Sequence, residues 1–190
     1  MASHPSHPTI SFRYPDWIDQ TVDWSRSYQS DEERMRLAIA VSRANIEHGG
    51  GPFGAAIFEM ESGRIVSVGM DRVVSQNNCA LHGEMVAFMM AQQRVGSHTL
   101  DQPSLPAHEL VTSCEPCAMC LGATGLSGVR RVISGAARED AVSIGFDEGP
   151  VFPESYQYLK ERGISFERQL LRDEARAVIQ VYHDRGGKAY

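Results

Sequence analysis

Two short segments of the chain carry residue types that bind a transition metal. They are residues 82–84, with the sequence HGE, and residues 116–120, with the sequence PCAMC. A catalytic zinc ion commonly takes three His, Cys or carboxylate ligands and leaves a fourth position to water. Because Cys117 and Cys120 are three residues apart, they share one face of a helical turn and can hold one ion together with His82. The spacing therefore predicts a zinc site with an open position.

Glu84 is the residue that could make such a site catalytic. Side chains two positions apart diverge in a regular helix, but at its first turn His82 can face the ion while Glu84 reaches the bound water. The carboxylate would take a proton from that water, the resulting hydroxide would attack an electron-poor ring carbon, and the departing amine would be protonated. An H-x-E segment followed by P-C-x-x-C is the signature of zinc-dependent base deaminases. We expect one Zn²⁺ per subunit and hydrolytic release of ammonia.

Two other interpretations of the cysteines stay open. A structural zinc site needs four closed protein ligands, and Cys114, three residues before Cys117, is the stronger candidate for the fourth, ahead of Cys79. The chain would then be a non-catalytic, zinc-stabilised binding domain. Alternatively, Cys117 and Cys120 could form a redox-active thiol pair that binds no metal, although such a pair does not require the H-x-E segment.

Composition and charge limit the class of substrate. The 190 residues are 42% hydrophobic and 22% charged, which is typical of one globular domain with its own core. The net charge of −6 and the small size of the one basic cluster, 130–131, disfavour a polynucleotide partner. No apolar run approaches the roughly 20 residues that span a bilayer, and the first residues lack the pattern of a secretory signal. We expect a cytoplasmic protein that acts on a small molecule, with neither nucleic acid nor membrane as a partner.

The pattern of elements predicts an N-terminal extension over 1–30 and a single domain over 31–190. The extension shows no clear period, and Trp17 and Trp24 could anchor it to the surface; a disordered leader is the alternative. Predicted strands span 53–59, 65–70, 109–112, 131–135 and 165–169. Predicted helices run from Ser30 to the glycine run at 49–51, then over about 82–94, 117–126, 138–144, 156–161 and 172–182. Strands that alternate with helices predict a layered α/β domain.

Several segments resemble the cytidine deaminase superfamily, and within it bacterial guanine deaminase. They are residues 51–55, 112–117, 119–123 and 145–148, and the likeness extends from about Gly51 to Asp173. It implies an α/β/α sandwich around a five-stranded mixed sheet, a homodimer, and a hydrolase that acts on the C–N bond of a cyclic amidine in purine metabolism. It also implies that the C-terminal segment 183–190 closes over the active site, with Tyr190 or its neighbours as the lid.

The resemblance also suggests residues that contact the substrate. In guanine deaminases the segment that matches Asp147 and Glu148 holds the purine, and carboxylates are suitable acceptors for the N–H groups beside the 2-amino group. Glu148 is further expected to take part in catalysis. Phe53 and Phe146 could stack on a heterocycle, and Ala55 belongs to the matching first strand. The alternatives are a solvated acidic loop and two phenylalanines that only fill the core.

Two positions depart from the family pattern. Gly83 replaces the usual Ala, which either loosens the helix start by up to about 1 kcal/mol or makes room for a larger substrate group. Asp71 stands where the family has an Asn that binds the base. An ionised Asp only accepts hydrogen bonds, and the Hoogsteen edge of guanine presents two acceptors. Either the pocket suits a different ring, or Asp71 points away and Asn77 or Asn78 makes the contact.

These observations favour deamination of a free base, guanine or a guanine-like compound such as an aminotriazine. A cytosine, cytidine or pterin deaminase is the alternative within the same superfamily. A tRNA adenosine deaminase shares the motifs, but the acidic balance of this chain disfavours it.

Overall fold

The protein is built around one five-stranded mixed sheet. The computed structural model describes residues 10–190, so part of the predicted extension, residues 1–9, lies outside it. The strands are β1 (Gly54–Glu59), β2 (Ile65–Met70), β3 (His108–Cys114), β4 (Arg131–Ala136) and β5 (Ser165–Glu167). Their order is β2-β1-β3-β4-β5. Strand β1 is antiparallel to β2 and β3, whereas β3, β4 and β5 are parallel.

Helices cover both faces of this sheet. They are α1 (Ile18–Thr21), α2 (Asp31–Glu47), α3 (Val73–Gln76), α4 (Gly83–Val95), α5 (Ala118–Ser127), α6 (Arg138–Val142), α7 (Pro153–Glu161) and α8 (Arg172–Asp184). Ala56 and Phe58 pack in one apolar cluster with residues of α2 and α8, whereas Ala55 and Ile57 pack in another with residues of α4, α5 and α7. The predicted α/β/α architecture is confirmed. Among residues 10–190, no helix combines the length and apolar character needed to cross a bilayer.

The predicted start of α2 coincides with a complete capping box. The Ser30 side chain accepts a hydrogen bond from the backbone N–H of Glu33 at 3.2 Å, and the Glu33 side chain accepts one from the Ser30 N–H at 3.3 Å. Two of the N–H groups that a helix start leaves unpaired are thereby satisfied.

The described part of the predicted extension packs against the domain. Trp17 is buried in the apolar cluster that contains residues of α2 and α8, and its ring stacks on His48 with centroids 5.0 Å apart. Trp24 is partly buried, and its indole N–H donates to Asp19 at 2.8 Å. Helix α1 lies in this stretch, where the sequence shows no period. A disordered leader therefore does not describe residues 10–30.

Several elements differ from the prediction, and the reason is clear for the following ones. Helix α3 occupies part of the predicted loop 75–79, and α7 begins at Pro153 instead of Tyr156 because proline is well accommodated at the first helical position. Strand β5 ends at Glu167, not at 169. Gln169 has a φ of 65°, in the left-handed region, which an extended strand cannot include.

The topology brings two helix N-termini to one edge of the sheet. Gly54 pairs with Met70 and Ala55 with Thr112, so β1 begins beside the ends of β2 and β3. Helices α4 and α5 both begin at this edge. Helix α4 lies so close to β2 that a Cβ at position 69 would be 1.9 Å from the carbonyl oxygen of Gly83. The glycine at position 69 permits this approach. Two converging helix N-termini favour negatively charged groups between them.

Candidate active site and metal centre

The three predicted metal ligands lie together where α4 and α5 begin. His82 is the N-cap residue of α4 and Cys117 that of α5, both with extended backbone. Cys120 lies in the first turn of α5. The ligand atoms of all three residues lie within 4.8 Å of one another, and Nδ1 of His82 is 3.6 Å from Sγ of Cys117. One imidazole and two thiols at these distances fit a tetrahedral zinc ion that keeps one position for water.

The electrostatics of the three ligands are tightly linked. A hydrogen bond from the Cys120 thiol lowers the pKa of Cys117 to about 4, against the effect of burial, and His82 acts in the same direction. Donating that bond, together with burial, raises the pKa of Cys120 well above its ordinary value. Burial lowers the pKa of His82, but the Cys117 bond and the Glu84 carboxylate outweigh it and raise that pKa to about 9. At neutral pH these side chains therefore carry an imidazolium, a thiolate and a thiol.

Loading the protein with zinc is expected to release about two protons at neutral pH, because zinc ligands bind in their deprotonated forms. His82 supplies one and Cys120 the other, whereas Cys117 is already a thiolate. Calorimetric titration with Zn²⁺ in buffers of different ionisation enthalpy counts these protons. The titration is best made near pH 6, where a zinc-bound water with a pKa of about 7 keeps its proton and adds nothing to the count. A count of about one would contradict the contribution of His82.

Glu84 lies directly behind the ligands, in the first turn of α4. Its side chain is buried and accepts a hydrogen bond from the Thr112 hydroxyl at 3.1 Å. Burial raises the pKa of Glu84, and the nearby Cys117 thiolate adds to that effect. A carboxylate that is held in place and takes up a proton readily is suited to general acid–base work.

Cys114 lies outside the metal-binding group, although it lines a small cavity beside the three ligands. Its thiol donates to the carbonyl oxygen of Ala137 at 3.7 Å, and burial raises its pKa well above the ordinary value. Cys79 is exposed. Over residues 10–190, the group that can hold a metal contains His82, Cys117 and Cys120 and no fourth side chain. The geometry favours an open site over a closed Cys₃His site.

A small cavity opens beside the ligands. Its walls include most of the predicted substrate-binding residues, and the lining consists of Phe53, His82, Glu84, Cys114, Glu115, Cys117, Phe146, Asp147, Glu148 and Tyr190. The free space measures about 20 Å³, which is room for about one water molecule. A base cannot enter unless one wall moves.

Tyr190, the last residue of the chain, forms the wall that fills this cavity. Its ring packs edge-on against Phe146 and His82, with centroids 5.2 and 6.0 Å apart. Its hydroxyl donates to Oδ2 of Asp71 at 2.5 Å, and its carbonyl oxygen accepts from the Asp147 N–H at 3.0 Å. Tyr190 is thus held both by its side chain and by its backbone.

Asp71 does not line the cavity beside the metal ligands, but its carboxylate contacts Tyr190, the residue that fills it. It is buried, Oδ1 accepts from the Val73 N–H at 3.0 Å, and Oδ2 accepts from Tyr190. Burial raises the pKa of Asp71, opposed by these hydrogen bonds. While Tyr190 is in place, the Asp71 carboxylate is therefore occupied by the protein's own hydrogen-bond donors.

The acidic and aromatic residues of the cavity differ in their surroundings. Phe146 is buried in the core and packs edge-on against Phe53 at 4.8 Å, so it serves both core and cavity. Burial, with the Cys117 thiolate next, raises the pKa of Glu148 to about 8. Asp147 is exposed and accepts from the Gly149 N–H at 2.9 Å. Glu148 is therefore the acid that faces the cavity from a desolvated position.

Three sequence-based suggestions lie elsewhere. Ala55 is buried in β1, on the face that packs against α4 and α5. Asn77 is exposed at the end of α3 with a φ of 49°. Neither lines the cavity. A Cβ on Gly83 would lie 3.4 Å from the carbonyl oxygen of Phe53, so the space that this glycine leaves faces β1 and does not enlarge the substrate site.

Two site residues were not singled out from the sequence. Thr112, which holds Glu84, lies on a strand buried along its whole length, so no alternation marks it. Glu115 lines the cavity just before the cysteine segment and accepts two hydrogen bonds of 2.8 Å from the guanidinium of Arg168. The feature of the sequence that could have identified Glu115 as a site residue is its position directly before Pro116 and the metal-binding cysteines.

A His-Cys-Cys site with an adjacent glutamate, at two helix N-termini of an α/β/α domain, is the arrangement of zinc-dependent base deaminases. Residues 28–136 match the family model of the cytidine and deoxycytidylate deaminase zinc-binding region. The chain belongs to this family.

Known proteins refine this assignment. The guanine deaminase of Bacillus subtilis is 34% identical over 136 residues, which is 71% of this chain and 83% of that protein. A solved structure of the guanine deaminase from Nitrosomonas europaea is similar with a TM-score of 0.89 at 39% identity, covering 95% of this chain and 100% of that one. A further similar structure, in complex with 2,6-diaminopurine, has a TM-score of 0.83 at 43% identity and covers 87% of both chains.

Proposed function

We propose that the protein is a zinc-dependent aminohydrolase that removes the amino group from a free guanine-like base and releases ammonia. The observation that carries this proposal is the open His82, Cys117 and Cys120 site with Glu84 beside it. The likeness to guanine deaminases, and to a structure that holds a diaminopurine, supports a purine as the substrate.

The residues of the site divide the chemistry between them. His82, Cys117 and Cys120 would hold a zinc ion, which when bound would supply the Lewis acid that lowers the pKa of water to about 7. Glu84 accepts the proton of the attacking water, because its carboxylate is fixed by Thr112 within the cavity wall. It would return this proton to a ring nitrogen of the base, and the hydroxyl proton of the resulting adduct would then pass to the amine, which leaves as ammonia when the C–N bond breaks and the carbonyl forms.

Glu148 is our candidate for the second acid. Because its pKa of about 8 lies close to neutrality, it can accept from a ring N–H when ionised or donate when protonated. Phe53 and Phe146 would enclose the ring of the base. Asp147 would contact the base through Oδ2, because Oδ1 already accepts from the Gly149 N–H.

The substrate panel is the direct test. We expect ammonia release from guanine or an aminotriazine, measured beside cytosine, cytidine, adenine and a pterin, with Glu84→Gln as the blank. Release from guanine would mean that the site tolerates Asp71. Release only from cytosine, cytidine or the pterin would contradict the proposal and support the alternative deaminases. Deamination of a tRNA adenosine would overturn the assignment to a free base.

We also propose that residues 183–190 act as the lid of the site. Tyr190 must leave the cavity before a base enters, since only about 20 Å³ is free while it is bound. The apparent affinity for the base is reduced by the fraction of molecules in which the lid is closed. The Asp71–Tyr190 hydrogen bond favours the closed lid.

Replacing Tyr190 by Phe should therefore tighten apparent base binding by about tenfold, because a hydrogen bond to a buried carboxylate contributes roughly 1.5–3 kcal/mol. Calorimetric titration of the inactive Glu84→Gln background with guanine measures this change. Tyr158→Phe is the control, since that ring lies exposed on α7. Weaker binding in the Tyr190 variant would mean that its hydroxyl contacts the bound base instead of competing with it.

We propose that the protein is a homodimer. The outer faces of α5 and α7 border a groove of about 520 Å³ with apolar walls that include Leu121, Leu126 and Val151. Leu126 is 81% exposed, which suits a surface that a second copy covers. Light scattering coupled to size exclusion should give twice the mass of one chain, and Leu126→Asp should halve it.

We place the protein in the cytoplasm, because its four cysteines are free thiols and a reducing compartment keeps thiols available as zinc ligands. Cell fractionation tests this placement.

A further inference from the structure

A second cavity, separate from the metal centre, lies between α7 and β5. It measures about 300 Å³. Three of its lining residues are cationic and three are aromatic, namely Arg138, Lys160, Arg168, Phe152, Tyr156 and Phe166. No acidic residue lines it, although the chain as a whole has a net charge of −6. Such a concentration of positive charge stands out on this protein.

The charges of this cavity are incompletely neutralised. Within residues 10–190, Nε of Arg138 is the buried side-chain nitrogen that has no hydrogen-bond partner. One Nη of Arg138 donates to the Tyr156 hydroxyl at 2.9 Å, and the nearest carboxylate oxygen, on Glu115, is 3.7 Å away. That same carboxylate already accepts two hydrogen bonds from Arg168. In the described part of the chain Lys160 forms no ion pair.

Arg138 and Arg168 thus share the single carboxylate of Glu115. A buried donor without an acceptor costs about 1–3 kcal/mol, and unpartnered buried groups of this kind are rare. Because Nε of Arg138 is closed to solvent, an anion in the cavity would instead meet the accessible cations, Arg168 with 46% of its side chain exposed and the exposed Lys160. A phosphate group suits the arrangement, because guanidinium groups bind it by paired hydrogen bonds and a lysine adds a compact charge.

The aromatic residues give the cavity one fixed wall and one exposed ring. Tyr156 packs edge-on against Phe166 with centroids 5.1 Å apart, and the guanidinium of Arg168 lies 5.1 Å from the Tyr156 centroid. These contacts hold the wall in place. Phe152, by contrast, is 58% exposed at the N-terminus of α7. An exposed ring beside a cationic cavity is the kind of surface on which a nucleobase stacks.

We propose that this cavity binds a nucleoside monophosphate, with the phosphate on Arg138, Lys160 and Arg168 and the base against Phe152. The volume is at the lower end of the range for small-molecule sites, which begins at about 300 Å³. The ligand would be held by its charge and its ring together. Neither the zinc ligands nor Glu84 line this cavity, so the site does not depend on the deaminase reaction.

Calorimetric titration of the zinc-loaded full-length protein with adenosine 5′-monophosphate tests the proposal. Adenosine and inorganic phosphate are titrated separately, because adenosine can make only the contact with Phe152 and phosphate only the contacts with the cations. The monophosphate should bind at least about tenfold more tightly than either half. Lys160→Gln and Phe152→Ser should each weaken it by about tenfold.

Arg43→Gln provides the control, since Arg43 is an exposed cation on α2 and lies outside this cavity. It should leave binding unchanged. Ammonia release and the melting temperature confirm that each variant is folded. The proposal is overturned if the monophosphate does not bind at about 1 mM, or if inorganic phosphate binds equally well. It is also overturned if neither Lys160→Gln nor Phe152→Ser weakens binding.

Discussion

Replacing Glu84 by Gln is expected to remove turnover while the protein keeps its zinc. Glutamine has the shape of glutamate and can still bond to the Thr112 hydroxyl, but its amide cannot take up the proton of the attacking water. A positioned acid–base group contributes about 10²–10⁴-fold to a rate, so kcat should fall by at least about 100-fold. Steady-state ammonia release and the zinc content of the purified variant are the two measurements.

The zinc content separates a catalytic role of Glu84 from a structural one. The three ligands are unchanged in this variant, so one zinc ion per chain should remain. Glu61→Gln is the control, because Glu61 is exposed in the turn between β1 and β2. A variant that loses zinc and activity together would mean that Glu84 mainly supports the ligands. A variant with the normal rate would end its assignment as the acid–base group.

The metal site was predictable because its determinants are short-range. Cys117 and Cys120 share one turn of α5, and a spacing of three residues brings side chains together in any helix. The meeting of His82 with Cys117, 35 residues apart, depends on the sheet and could be inferred only from the combined H-x-E and P-C-x-x-C pattern. The main helices and strands were predictable for the same local reasons, such as the capping box at Ser30.

The lid contact could not be predicted in the same way. Asp71 and Tyr190 are 119 residues apart, and their hydrogen bond depends on where α8 leaves the end of the chain. The sequence indicates that an acid stands at position 71 but not the direction of its carboxylate. Asn77 was considered as a base contact because its amide both donates and accepts, yet a left-handed backbone at the end of α3 leaves it exposed.

Cys117→Ser is expected to abolish both zinc binding and activity, whereas Cys114→Ser should retain both. Cys117 supplies one of the two thiolates that neutralise the charge of zinc, and a serine hydroxyl is a much poorer ligand. Changes to residues that merely support metal ligands cost about 10–100-fold in affinity, so loss of a ligand should cost more than about 100-fold. Competition with a chelator, followed by metal analysis, measures the affinity of each variant.

The Cys114 variant decides between the open and the closed site. The Cys114 thiol donates to the Ala137 carbonyl and stands outside the metal group, and a serine hydroxyl can make that same hydrogen bond. Zinc affinity should therefore stay within about threefold of that of the unchanged protein, since the ligand set is intact. A loss as large as that of Cys117→Ser would establish a fourth thiolate ligand. No position would then remain for water, and the protein would be a zinc-stabilised binding domain instead of a hydrolase.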